Sequence, residues 1–317
     1  MATVSLAGAT TIALLTTNDG HARAFNADSG AEIWSSPVLG SQSLARPAAL
    51  FSAFGGSYDL VFAGGNSTTT GTFYSLDLAD GQIAWSFTNS LAQGGDGTAM
   101  GLIGGPPVVD YGTNRLYFST RQQISGSSDT LWALNFNASS ASRVWSANLG
   151  ELAIGPVVAG GRVLAGNVDG DVHAVDVTTG LSLWAAPFST ADGPVKGPLS
   201  PPIGGQLVFS TTNTVWSIAV DGAAATLHWS QGSIPKPSAP AVAPDPSHVW
   251  VGGGDGVLYR LLNGVIDDTL NLSTAGLGTP ELDAANQRLY VASKDGRLHA
   301  VDVQGPVAVE LINFNVK

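Results

Sequence analysis

The sequence predicts an all-β protein made of repeated units, and its composition is the first observation that favours this class. Glycine accounts for 40 of the 317 residues and proline for 17. This composition disfavours helices, because an interior glycine costs a helix about 1 kcal/mol and a proline about 3 kcal/mol. The chain is 44% hydrophobic with eight tryptophans, which is not the composition of a disordered chain. An ordered β protein with a large core is therefore expected.

The second observation is a short pattern that recurs along the whole chain. Its clearest copy, at residues 174–184, has the sequence Ala-Val-Asp-Val-Thr-Thr-Gly-Leu-Ser-Leu-Trp. Two copies have longer turns, and the last two have lost the tryptophan. The seven copies lie at residues 24–34, 75–85, 133–145, 174–184, 217–229, 260–270 and 300–311.

The third observation is that each unit is divided by turn residues into four short strands. In the fourth unit, Gly155 begins the first strand, Asp169-Gly170 makes a tight hairpin, and residues 181–184 form the last strand. Units of about 45 residues have the size of a four-stranded propeller blade. Stacked blades cover the faces that a single blade exposes.

We therefore predict a single β-propeller domain over residues 1–317, with seven blades and eight as the alternative. Seven blades require strands at residues 3–7 and 307–312. The predicted blades are residues 1–39, 40–89, 90–149, 150–189, 190–232, 233–273 and 274–317.

The tryptophan that closes a unit is large and flat, and it carries one N–H donor. These properties suit a position between neighbouring blades, with the indole N–H bonded to a loop carbonyl. We expect this docking role for Trp34, Trp85, Trp145, Trp184 and Trp229.

The repeated unit, with the pattern Ala-x-Asp-x-x-Thr-Gly-x-x-x-Trp, resembles the tryptophan-docking repeat of the pyrroloquinoline-quinone (PQQ) family of β-propellers. That family includes quinoprotein alcohol dehydrogenases and BamB-type outer-membrane assembly lipoproteins. The resemblance extends over essentially the whole chain. It implies either a quinoprotein enzyme or a binding scaffold.

The sequence favours the scaffold, with no catalytic residue, no cofactor and no metal. Many quinoprotein members have a vicinal cysteine pair, whereas this chain has no cysteine. No Glu/Asn/Asp set for Ca²⁺ stands out, and we interpret residues 167–171 as a hairpin. His173 and His299 occupy a repeated position in the third strand and are interpreted as packing residues.

We predict a non-enzymatic scaffold that mediates protein–protein binding, as a subunit or accessory of a larger extracytoplasmic assembly, periplasmic or secreted. A small-molecule or saccharide sensor and a PQQ-dependent quinoprotein oxidoreductase are the alternatives, and a domain of a longer polypeptide is a third possibility. The net charge of −11 disfavours nucleic acid. No apolar segment reaches the roughly 18 residues of a membrane span, so direct membrane insertion is not expected.

Four loops that break the regular period are the expected partner contacts, and solvated loops without a partner are the alternative. They are residues 66–71, 88–105, 120–129 and 230–240. Five cations are expected at the same face and are candidates for ligand or partner binding, unless they are scattered solubilising charges. They are Arg46, Arg121, Lys196, Lys236 and Lys294. Replacing Lys196 by alanine is expected to leave folding nearly unchanged.

Overall fold

A computed structural model describes residues 12–41, 48–50, 60–67, 70–121 and 129–303. The chain divides into two compact units, Met1–Asn167 with Val175–Leu181, and Val168–Ala174 with Ser182–Lys317. The predicted strands at residues 3–7 and 307–312 lie outside the described residues. Every sheet pairs strands that are consecutive in the chain.

The first three sheets are antiparallel and have three, four and four strands in the described ranges. A short 3₁₀ helix, Leu91–Gln93, follows the second sheet. The strands are β1 (Ile12–Thr16), β2 (Ala22–Asn26) and β3 (Glu32–Ser35), then β4 (Ala48–Leu50), β5 (Leu60–Asn66), β6 (Gly71–Asp77) and β7 (Ile83–Phe87), then β8 (Val108–Asp110), β9 (Arg115–Ser119), β10 (Leu131–Phe136) and β11 (Ala141–Ala147).

The remaining four sheets have four, three, four and three strands among the described residues. Their strands are β12 (Val157–Ala159), β13 (Arg162–Gly166), β14 (Asp171–Asp176) and β15 (Phe188–Ser189), then β16 (Gln206–Ser210), β17 (Val215–Ala219) and β18 (Thr226–Gln231), then β19 (Ala241–Val242), β20 (His248–Gly252), β21 (Val257–Leu262) and β22 (Val265–Asn271), then β23 (Glu281–Asp283), β24 (Arg288–Ala292) and β25 (Leu298–Asp302).

Two strands differ from the prediction, and prolines lie beside both. The last strand of the fourth sheet is Phe188–Ser189, so the prediction of a strand at residues 181–184 was wrong. Pro187 precedes β15 and has no N–H for the ladder. The fifth sheet has no first strand among the described residues, and its leading segment makes only the isolated bridges Lys196–Ser210 and Ile203–Gln206. Pro198, Pro201 and Pro202 explain this, since proline cannot donate to a sheet.

A β-bulge recurs beside the tryptophans. The pairing of the third strand with the fourth shifts register directly after the residue that faces Trp34, Trp85, Trp145 or Trp229. A bulge inserts one residue and re-aims the side chains around it. The bulge therefore lies at the same place beside the tryptophan in four sheets.

Four of the predicted tryptophans donate a hydrogen bond to the sheet that follows in the chain. The acceptor is always a carbonyl in the turn before that sheet's last strand. The bonds run from Trp34 Nε1 to Leu78 O at 2.7 Å, from Trp85 to Asn137 O at 3.1 Å, from Trp145 to Val177 O at 3.2 Å and from Trp184 to Gly222 O at 3.2 Å.

In two of these four turns, a glycine also lies against the indole ring: Gly81 against Trp34 and Gly180 against Trp145. Gly180 has φ of +72°, and a Cβ at this position would lie 2.6 Å from the Trp145 ring. Gly264 has the same relation to Trp229, also with 2.6 Å from the ring to a Cβ. Only glycine combines a left-handed backbone with this close approach. This explains the glycine in the turn before the last strand of these units, which contacts the tryptophan of the preceding unit.

Candidate partner-binding site

The loop between β7 and β8 is held in one conformation by its own polar groups. The Gln93 amide donates to Ser86 O at 2.6 Å, and its oxygen accepts from the Thr88 N–H at 3.0 Å and from Ser90 Oγ at 3.1 Å. Gln93 therefore ties the start of the loop back to the end of β7.

Asp96 holds the second half of the same loop. Its carboxylate accepts hydrogen bonds from the Thr98 hydroxyl at 2.6 Å and from the Thr98 N–H at 2.9 Å. It also accepts from Asn89 Nδ2 at 2.7 Å and from Arg143 Nη1 at 2.9 Å. The hydroxyl and the N–H of Thr98 are the main reasons that the pKa of Asp96 lies well below its usual range, and burial opposes them. Arg143 also donates to Gly94 O at 3.1 Å, which joins the loop to β11.

The braced part of the loop presents an apolar side chain. Leu91 is 77% exposed and lies in the 3₁₀ turn. By contrast, Met100 and Ile103 are buried in a core cluster with Phe62, Phe73 and Phe118. The predicted partner loop 88–105 is therefore divided, because its last residues belong to the core and only residues 88–99 form a surface.

The other predicted loops are shorter or partly buried. In 66–71, Asn66 and Gly71 pair with each other at the ends of β5 and β6, and residues 68–69 lie outside the described residues. In 120–129, Thr120 is buried, and residues 122–128 lie outside the described residues. In 230–240, Ile234 and Ala239 are buried, while residues 232–233 and 235–236 are exposed.

Two of the five predicted cations are brought together. The charge of Lys236 acts on Lys196, whose pKa is lowered first by burial, with Asp192 raising it and Lys236 lowering it further. Lys196 Nζ donates to Pro237 O at 2.9 Å and to Thr212 O at 3.1 Å. The ammonium group of Lys196 is therefore engaged within the second unit, and Lys236 is the exposed member of the pair.

The other three predicted cations lie elsewhere in the chain or outside the described residues. Arg46 lies outside the described residues. Arg121 follows β9 in the first unit, where its backbone N–H donates to Leu102 O at 2.7 Å. Lys294 is exposed on the turn after β24, where its N–H donates to Gly276 O at 2.9 Å. A common anion-binding face of all five stays a prediction.

The histidines and carboxylates form no metal-binding cluster in the part of the chain that the structure describes. No group of three or more His, Asp or Glu side chains is placed to hold a metal. His299 faces Val291 in β24, the register position that Trp216 occupies opposite Phe209. It is buried, with Nε2 3.0 Å from Ser293 Oγ, as Trp216 Nε1 is 2.8 Å from Thr211 Oγ1.

The brace of the loop was not foreseen from the sequence. Arg143 lies 47 residues from Asp96 in the chain, and no local pattern links the two residues. Asn89 gave a weak signal, since asparagine is favoured at a left-handed position and has φ of +63° here.

Consecutive antiparallel sheets joined by tryptophan contacts, with long loops between them, define a β-propeller of PQQ-like repeats. A family model described as outer membrane protein assembly factor BamB matches residues 3–135 and 131–311. The chain belongs to this family, which confirms the resemblance predicted from the repeat.

Two solved structures show the same fold. The crystal structure of BamB from Moraxella catarrhalis has a TM-score of 0.64 and 21% identity, and the match covers 93% of this chain and 82% of that chain. The crystal structure of the computationally designed Ika8 protein has a TM-score of 0.67 and 15% identity, and covers 91% and 80%. A search of curated proteins found no match. Across the described ranges, no helix has the length and apolar character to cross a membrane.

Proposed function

We propose that this chain is a non-enzymatic scaffold that binds protein partners outside the cytoplasm, as part of a larger assembly. The family match over most of the chain supports this, because the description of the family model is that of an outer membrane protein assembly factor. The fold similarity to BamB from Moraxella catarrhalis agrees with it. Because fold similarity alone does not establish function, the proposal also depends on the surface of the chain.

The braced loop at residues 88–99 is the observation that carries the proposal. A loop held by Gln93, Asp96 and Arg143 loses little conformational freedom on binding, so more of the contact energy appears as affinity. It holds the exposed Leu91 in a fixed position. These properties suit an apolar contact with a protein partner.

The exposed segment around Lys236 is a second, separate candidate contact. Lys236 adopts φ of +45°, a strained conformation for a residue with a side chain. The loop is held by the bond from Gly254 N to Pro235 O at 2.6 Å, and Lys196 holds Pro237. This positive segment on an acidic protein suits an acidic patch of a partner.

We further propose that the seven sheets of the described residues are seven blades of one propeller over residues 1–317. The support is the number of sheets and the repeated tryptophan bonds between consecutive sheets. We assign the docking role to Trp34, Trp85, Trp145, Trp184 and Trp229. A crystal structure with a different number of blades would overturn this count.

Affinity capture from a cell-envelope extract tests the scaffold function. The immobilised chain is expected to retain one partner in stoichiometric amount, identified by mass spectrometry. Leu91→Asp or Lys236→Glu is expected to weaken the capture at least 10-fold. Leu181→Asp is the matched control, since Leu181 is 69% exposed but lies outside both loops. If all variants capture the same amount of partner, the proposed binding surface is wrong.

A parallel titration with PQQ and Ca²⁺ separates the scaffold from an enzyme. The scaffold predicts no quinone absorbance on the purified chain and no reduction of a redox dye when alcohols or sugars are added. Dye reduction that depends on PQQ and substrate would contradict the non-enzymatic proposal.

A further inference from the structure

The second unit contains a cavity of about 260 Å³ between the leading segments of its last three sheets. Four prolines line it, Pro198, Pro201, Pro240 and Pro280, together with Thr279 and Glu281. The prolines interrupt sheet pairing, because they lack the N–H that a neighbouring strand would accept. The result is a rigid, largely apolar wall with few polar groups.

The size of the cavity limits what it can hold. Sites for small-molecule ligands and cofactors usually have about 300–1,000 Å³. A volume of about 260 Å³ lies below this range and fits a single long side chain or a ligand of similar size. A PQQ-sized ring system is therefore not the expected occupant.

Glu281 provides the charge of the cavity. It is the only ionisable residue of the lining, and it is an exposed residue of β23 whose backbone pairs with Tyr290. Among the described residues, no hydrogen bond or ion pair engages its carboxylate. Thr279 offers a second oxygen in the same wall. A carboxylate beside proline rings is complementary to a cation that has an apolar stem.

We propose that this cavity binds the guanidinium group of an arginine side chain from a protein partner, with Glu281 as the counter-ion. A guanidinium group is more weakly hydrated than an ammonium group, and its planar N–H groups pair with a carboxylate in a two-bond arrangement. The methylene stem of arginine packs on apolar surface while the charge meets its partner. The protein source of the arginine rests on the scaffold function proposed above, whereas the chemistry of the cavity does not.

Titration of the full chain with N-acetylarginine amide, followed by heteronuclear NMR, tests the cavity directly. We expect saturable shifts at Thr279, Glu281 and Val242, with a Kd in the millimolar range that is usual for a ligand of this size. N-acetylcitrulline amide has nearly the same shape without the charge, and it should bind at least 10-fold more weakly.

Variants separate the carboxylate from general charge effects. Glu281→Gln should weaken arginine binding at least 10-fold with an unchanged melting temperature, whereas Glu151→Gln, a charge loss outside the cavity, should leave binding unchanged. Equal binding of arginine and citrulline, full binding by Glu281→Gln, or no binding of arginine would overturn the proposal. Because no partner is present in this titration, its failure is distinct from a failure to capture a protein partner.

Discussion

At the residue scale, single polar side chains fix the loops that carry the proposed function. Asp96 fixes the 88–99 loop. In the second unit, Asp192 similarly holds the turn between β16 and β17. The Asp192 carboxylate accepts hydrogen bonds from Thr211 Oγ1 at 2.6 Å, from Asn213 Nδ2 at 2.8 Å and from Asn213 N at 3.1 Å. Burial raises the pKa of Asp192, but these bonds together outweigh it and lower the pKa to about 2.

The Asp192 carboxylate is expected to make folding sensitive to acid. Its pKa is lower in the folded state than in the unfolded chain, so its stabilisation is complete above about pH 4 and is lost as the pH falls towards 2. Urea unfolding at pH 5, 4 and 3 should show this loss in the wild type and a smaller loss in Asp192→Asn. Asn213→Ala removes one donor and should give an intermediate slope. A slope that is unchanged in Asp192→Asn would contradict the assignment.

Lys196 is expected to contribute to stability, in contrast to the prediction from the sequence. Its ammonium group bonds to the carbonyls of Thr212 and Pro237, and hydrogen bonds of charged groups contribute about 1.5–3 kcal/mol when well formed. Because the residue is only partly buried, we expect Lys196→Ala to cost about 1 kcal/mol. Lys294→Ala is the matched control and should lie within about 0.5 kcal/mol of the wild type. Equal urea midpoints for the two variants would instead support the sequence-based expectation that Lys196→Ala leaves folding nearly unchanged.

At the element scale, the contact between a turn glycine and the preceding tryptophan joins consecutive sheets. The bulge positions the indole, the turn supplies the carbonyl, and the glycine lets the ring approach the backbone. The sequence predicted an indole whose N–H bonds to a loop carbonyl, but not the bulge or the contact of the turn glycine with the ring. It did not predict that the last strand of the fourth sheet lies at Phe188–Ser189, beyond the tryptophan.

Gly180→Ala and Gly30→Ala separate steric contact from backbone strain. Both glycines have φ of +72°, but a Cβ on Gly30 meets no atom within 4 Å. Gly30→Ala should therefore cost only the left-handed backbone penalty, about 1–2 kcal/mol. Gly180→Ala adds a clash with the Trp145 ring, which should cost a further ~1–3 kcal/mol. Similar melting temperatures for the two variants would show that the ring contact does not matter.

At the scale of the whole molecule, the repeat predicted the fold class and the family but not the surface. Periodic turns and tryptophans are local signals, and they identified the sheets in the described residues. The surface depends on pairs that are far apart in sequence, such as Asp96 with Arg143. The same reason explains why loop 88–105 was not divided correctly, since burial of Met100 and Ile103 depends on strands β5, β6 and β9.

The proline-lined cavity was likewise not predictable from the sequence. Pro240 and Pro280 directly precede the first strands of their sheets, β19 and β23. Their convergence with Pro198 and Glu281 is a product of three consecutive sheets and has no signature in any single repeat.

Site-specific photo-crosslinking tests the central claim, that the chain is a scaffold which binds a partner through its braced loop. A photoreactive amino acid replaces Leu91 in the chain expressed in its native cells, and a second variant carries the same group at Leu181. The scaffold predicts one crosslinked protein adduct from position 91 and none from position 181. No adduct from position 91, or the same adducts from both positions, would contradict it.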